Sequence, residues 1–290
     1  MKILGKITYS SLDETHVFEH YSKSNINLTA LFCRSCYTDL MVKEQYELYL
    51  KSIYKKRDGN PLSPSSFQHY AGEAVRKINE LIKLKTNGEY ESIYEIPSLD
   101  ELLRCKDLLL TDDYFRKLDT DGNRMYSAGF NRYLEFAQGY CFNNIEDKIN
   151  LLDMPIPVKE RTIIRDKKVP TRNRIAVLHT EKAFSYRCQI NPKHETFLME
   201  TTEKPYVEGH HIIPLSMQDK FSNSLDCYAN ILVLCPTCHR FLHFGRTCEK
   251  EKILDSVYEE RSERYTKSGL DISHNEFVSL ITEKTTYYSY

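Results

Sequence analysis

The sequence predicts an α+β chain: a mainly helical N-terminal domain over residues 1–153, then a C-terminal domain over 154–290 built from short strands and a helix. Three observations predict it. Apolar and aromatic residues recur at helical spacing through much of the first half, two prolines interrupt the chain in LDMPIP at 152–157, and metal-ligating side chains crowd into Glu208–Gly245. With 290 residues the chain is long enough for two domains, and 41% hydrophobic and 28% charged residues are ordinary for a globular protein.

Residues 1–32 mix short apolar alternations with polar breaks and favour neither strand nor helix. Cys33 and Cys36 form a Cys-x-x-Cys with no second pair nearby, so they read as ordinary thiols. From Val42 the pattern turns helical: Val42, Tyr46, Leu50 and Tyr54 recur every four, and Tyr49 and Ile53 widen the stripe into a core-facing surface. Ser63 or a serine just after it is placed to cap a second helix with Tyr70, Val75, Ile78, Leu81 and Ile82 on its inner face. Ser98 and Glu101 stand at capping-box spacing before a third, LDELLRCKDLLL. A fourth is expected from about Ser127 to near Gly139.

The prolines of LDMPIP cannot continue a helix and mark the boundary between the halves. Beyond it lies a basic block in which Lys159, Arg161, Arg165, Lys167, Lys168, Arg172 and Arg174 face only Glu160 and Asp166. Such a block is either a solvated linker or a set of phosphate contacts. A helix is expected from about Arg172 to Ala183, delivering Cys188 to the second domain.

The stretch TFLMETTEKPYVEGHHIIPL carries two β-rich runs around a charged turn at Glu203 and Lys204, which predicts a hairpin closed by Pro214. Adjacent strand residues point to opposite faces, so His210 and His211 are expected to do different jobs. Pro236 suits the first turn of a helix and Gly245 its end, and between them His239 and His243, at i and i+4, share one face within reach of a single ion.

His211, Asn230 and His239, followed by His243, resemble the signature of the HNH family of nucleases, and the likeness covers about residues 172–282. It implies a ββα-metal fold, two antiparallel strands, a loop and a helix around one ion, here in the zinc-stapled branch, with restriction-enzyme character. By position it implies that His211 is the general base, that His210 and His239 with His243 hold a divalent ion on the scissile phosphate, and that Asn230 braces the loop. Many relatives carry an acidic residue at the place of His210, and imidazoles favour softer ions than oxygen ligands do, so Mn²⁺ or Ni²⁺ or Zn²⁺ compete with Mg²⁺ there. Glu208, two residues before His210, is expected either to orient that ring or to be solvated. Arg240 and Arg246 are candidate phosphate contacts. Cys235 and Cys238 have the spacing of half a structural zinc site; with Cys188 and His194 they would complete a Cys₃His set.

The nine cysteines are odd in number and scattered, against a disulfide framework, and Cys105, Cys141, Cys227 and Cys248 read as plain thiols. No run approaches the roughly 18 apolar residues a membrane span needs, and no signal-peptide layout opens the chain, so no membrane and a cytoplasmic address are expected. The sum is a metal-dependent endonuclease acting on double-stranded DNA, in restriction or anti-phage defence, and a homodimer, since one site per chain cuts one strand. A non-catalytic zinc module that binds nucleic acid, or a nuclease acting on RNA, are the alternatives. The order of helices in the first half loosely resembles DNA-gripping domains that precede some nucleases; a scaffold or dimerisation domain fits the same pattern.

Overall fold

The computed structural model describes residues 43–158, 162–164, 167–169 and 173–282, so the expectations on residues 1–32, the Cys33–Cys36 pair and Val42 lie outside the described residues. The described residues pack as one compact unit with two hydrophobic cores.

The first core is helical. Helix α1 spans 43–52 and buries Tyr46, Tyr49 and Leu50, the stripe expected from the sequence. Ser63 caps α2 (Pro64–Gln68), its side chain accepting from Ser66 N, and the chain continues through one π turn (His69–Glu73) into α3 (Ala74–Lys85). Ser98 caps α4 (Leu99–Leu110) by accepting from Glu101 N. The other half of the capping box is replaced, because the Glu101 carboxylate pairs with Arg104 one turn on. Helix α5 (Asp113–Asp121), unforeseen in the sequence, buries only Phe115 and is capped by Asp112. Helix α6 (Met125–Ala137) lies against α3 so closely that a Cβ at Gly129 would come within 2.5 Å of the Ala74 Cβ. Aromatic rings dominate the centre, with Tyr46 edge-on to Tyr133 at 5.3 Å and Phe142 stacked on His179 at 3.7 Å.

LDMPIP passes the chain from one core to the other: Leu152 belongs to the helical core and Ile156 to the second. Within the basic block, β1 (Thr162–Ile164) pairs antiparallel with β2 (Lys167–Val169). Helix α7 (Arg174–Ala183) follows, capped by Asn173, whose side chain accepts from Ala176 N. Here two expectations are corrected. The hairpin of 196–214 is reduced to one bridge, Leu198 with Pro205, around a turn in which Glu203 has φ 54°. The strand that carries the histidines, β3 (Glu208–His211), pairs instead with β4 (Ile231–Leu234), placing His210 opposite Leu232 and His211 opposite Ile231. A strand buried on both faces has no alternation to reveal it, and ILVL is buried at every position.

Helix α8 (Pro236–Phe244) follows β4 directly and completes a strand, strand and helix module; the α+β expectation is met. The long α9 (Thr247–Lys267) and α10 (His274–Thr282) then cover the second core. Neither was foreseen as a helix. In α9 the inward stripe is Lys250, Leu254, Val257, Arg261 and Tyr265, so two cations break its apolar period. Arg261 donates to Ala229 O at 2.8 Å, and Arg264 binds Asp153 through both oxygens at 2.6 and 3.0 Å, fastening α9 to the turn before β4 and to the boundary segment. Among the described residues no helix is long and apolar enough to cross a membrane.

Candidate active site

Three elements bring the site together. Glycine at 209 lets β3 touch α7, because a Cβ there would meet Val177 Cγ1 at 2.4 Å. On one side of it stands Glu208 and on the other His210, both on the strand face turned to α8. From α8 come His239 and His243, one turn apart. The three rings of His210, His239 and His243 form a triangle with centroids 4.8, 5.0 and 4.8 Å apart. One ligand nitrogen from each can be chosen such that all lie within 4.8 Å of one another. His239 Nε2 and His243 Nε2 are 3.2 Å apart, close to the roughly 3 Å expected of two imidazole nitrogens each about 2.1 Å from one ion.

The donor set suits a cation electrostatically as well. Burial, then the neighbouring His239 and His243, push the His210 pKa well below the ordinary histidine value, and burial lowers His243 too. Neutral imidazoles are the ligand form. Glu208 takes a different partner from the one expected: its carboxylate accepts from His239 Nδ1, and Tyr206 donates to its other oxygen at 3.0 Å. Residues 208 and 210 lie side by side on one strand face, whereas the residue in front of Glu208 comes from α8. With Nδ1 held by a carboxylate, Nε2 is the nitrogen of His239 that could bind a metal.

His211 points to the other face of β3. Its Nε2 meets Asp226 Oδ1 at 2.8 Å, and both side chains are largely shielded from solvent. Asn230, fully buried, spans the intervening loop: Oδ1 accepts from Ile213 N, and Nδ2 donates to Ile213 O and Leu225 O, all at 2.8–2.9 Å. That loop runs from His211 to Asp226, so one amide fixes both ends.

The four residues Cys188, His194, Cys235 and Cys238 form the second cluster, also with ligand atoms within 4.8 Å of one another. His194 Nδ1 is 3.4 Å from Cys235 Sγ and 3.3 Å from Cys238 Sγ, near the roughly 3.6 Å that tetrahedral zinc imposes between sulfur and nitrogen. Burial followed by the charge of Cys188 drives the Cys238 thiol up, a repulsion among sulfurs that a bound dication relieves. For Cys188 burial is outweighed by backbone N–H groups of Cys235, Asn191 and Ile190, which lower its pKa. The cluster thus joins the chain before β3 to the first turn of α8.

Strand, strand and helix, with a histidine cluster on one face and a Cys₃His cluster at the helix start, make a recognisable module. Residues 188–245 match the HNH endonuclease family model. The chain is also similar to the type IV methyl-directed restriction enzyme EcoKMcrA of Escherichia coli (strain K12), 44% identical over 54 residues. The match covers 19% of this chain and 17% of that protein, so the likeness is one of domains. No solved structure matches the chain.

Two of the expected site residues belong to neither cluster of candidate ligands. Arg240 is exposed, its guanidinium 5.9 Å from the Phe244 ring centroid, and Arg246 is exposed at the start of α9. Asp226, Tyr206 and Arg261 were not singled out in the sequence. The nearest signal for Asp226 was its place four residues before the signature Asn230, in LDCYAN.

Proposed function

We propose that this protein is a metal-dependent endonuclease that hydrolyses phosphodiester bonds in double-stranded DNA, acting in restriction or anti-phage defence. The observation that carries the reading is the triangle of His210, His239 and His243 on one face of β3 with His211 on the other. Imidazoles from two elements converge there, and the ring of His210 is buried, a desolvation that a hydrogen bond or an ion must offset.

A divalent ion held by His210, His239 and His243 would neutralise charge that builds on the scissile phosphate and the leaving oxygen. His211 acts as general base: it takes the proton of a water as the oxygen attacks phosphorus, work for which an imidazole is suited near neutral pH. Asn230 keeps the loop, and with it the His211 ring, in one position. Glu208 orients His239. The all-imidazole set favours Mn²⁺ or Ni²⁺, while Mg²⁺ is the most available ion in cells. Cys188, His194, Cys235 and Cys238 hold structural Zn²⁺.

DNA as the substrate is supported by the restriction-enzyme relative and by the basic block around β1 and β2. The division into 1–153 and 154–290 assigns DNA recognition or dimerisation to the first part and cutting to the second. Two copies related by a two-fold axis would cut both strands, and a cytoplasmic location follows from the substrate. The test is cleavage of plasmid and phage DNA with and without divalent ions. Cutting that requires the ion and is lost in His211→Ala supports the reading; a His211→Ala protein that cuts as fast as its parent overturns it.

A further inference from the structure

The carboxylate behind His211 is the least expected feature of the site. Asp226 is 5% exposed and both its oxygens are engaged: Oδ1 with His211 Nε2 at 2.8 Å, and Oδ2 as acceptor from the backbone N–H of Asn173, which caps α7. Its own N–H donates to Ser224 Oγ at 3.1 Å, and Leu225, next to it, is tied to Asn230. The carboxylate is therefore held from the start of α7 and from β3, while its backbone is tied within the loop.

We infer that Asp226 is a positioning residue for the general base, setting the tautomer and aim of the His211 ring. In this pair Asp226 Oδ1 accepts and His211 Nε2 donates, so the basic lone pair resides on Nδ1. Nδ1 thereby becomes the atom that takes the proton of water. A flipped ring would set Cε1–H against the buried carboxylate oxygen and the other tautomer would set a bare nitrogen there, and either loses a hydrogen bond at a cost of about 1–3 kcal/mol. The inference rests on the reading of His211 as base; it adds which nitrogen works and what fixes it.

Asparagine at 226 tests this sharply. Asn173 N–H is a fixed donor, so the single oxygen of Asn would be claimed there, and its NH₂ would face His211 Nε2. The nitrogen facing it must then accept, Nδ1 takes the proton, and the base is lost with little change in shape.

The experiment uses the full chain, supercoiled plasmid and Mn²⁺, with the parent, Asp226→Asn, His211→Ala and the double variant. It adds nitrogen chemical shifts of the His211 ring in metal-free protein. The parent is expected to show the Nε2–H tautomer. Asp226→Asn is expected to show Nδ1–H, to melt near the parent, and to cut roughly 10²–10⁴-fold more slowly with KM little changed. In the His211→Ala background the same substitution should cost almost nothing further, since it acts through that ring. A parent in the Nδ1–H tautomer overturns the inference whether or not the variants fold, as does an Asp226→Asn protein that cuts like its parent while His211→Ala is dead. Full loss multiplied onto His211→Ala makes Asp226 a purely structural residue and also overturns it. If the parent does not cut, or His211→Ala cuts normally, it is the endonuclease reading that fails, and the ring's tautomer still decides what Asp226 does to it.

Discussion

Glu208 on β3 reaches across to α8 and binds His239 Nδ1, so that strand and helix share one carboxylate just behind the histidine cluster. Tyr206 holds the same carboxylate from the other side at 3.0 Å. Removing the negative charge without changing shape, in Glu208→Gln, is expected to weaken Mn²⁺ binding about 10–100-fold while leaving the melting temperature close to that of the parent. Calorimetric titration with Mn²⁺ measures this. Unchanged affinity would mean that the orientation of His239 comes from packing alone.

Zinc at Cys188, His194, Cys235 and Cys238 should behave as part of the fold, because the set joins the segment before β3 to the start of α8. Elemental analysis is expected to find one tightly held zinc per chain. Cys235→Ser or strong chelation should destabilise the second core by several kcal/mol, given apparent binding energies of about 10–16 kcal/mol for structural zinc. A protein that melts identically before and after chelation would deny the cluster this role.

His179 is buried among residues of the first core and makes stability depend on pH. Its Nδ1 meets Tyr228 OH at 2.8 Å and its Nε2 meets Phe136 O at 2.7 Å, with complete burial between. Burial lowers its pKa from 6.5 to about 3. In the unfolded chain the ring gains a proton below about 6.5, whereas the folded protein refuses it until about 3. Stability is therefore whole above 6.5 and falls as pH drops through that window, by about 1.4 kcal/mol per unit. Between pH 7 and 5 the expected loss from this ring is about 2 kcal/mol. Urea denaturation at the two pH values should show the loss in the parent and a flatter dependence in His179→Gln; parallel curves would contradict it.

If the basic block binds DNA, Lys167 and Lys168, two of its cations on β2, contribute to that binding. The double change Lys167→Ala, Lys168→Ala should weaken plasmid binding and reduce the slope of log affinity against log salt by about one for each phosphate that is no longer neutralised. An unchanged slope would return the block to the status of a solvated ribbon.

What could be read from the chain followed how local each feature is. The helical stripe of Tyr46, Tyr49 and Leu50, the caps at Ser63 and Ser98, and the pairing of His239 with His243 all depend on residues a few positions apart, and each was visible. The partner of the histidine strand was not, because Ile231–Leu234 is a uniformly apolar run whose mate is chosen by the fold. Helix α9 hid behind Lys250 and Arg261, which occupy inward positions by virtue of acceptors such as Ala229 O that no sequence displays. Glu208 was paired with the wrong ring, and Asp226 went unnoticed, for the same reason: a carboxylate finds its imidazole through the path of a loop or the approach of another element. Ligand spacing is written locally, and the groups that aim the ligands are not.

Everything proposed for the site depends on an exchangeable cation held by His210, His239 and His243. Metal counting tests it directly: zinc by elemental analysis and Mn²⁺ by titration on the same protein, parent and His239→Ala. The expected result is one inert zinc plus one exchangeable Mn²⁺ per chain, with His239→Ala losing the Mn²⁺ and DNA cleavage but keeping the zinc. One zinc and no second ion in the parent would contradict it, and would leave a zinc-stapled module with a histidine cluster that holds no metal.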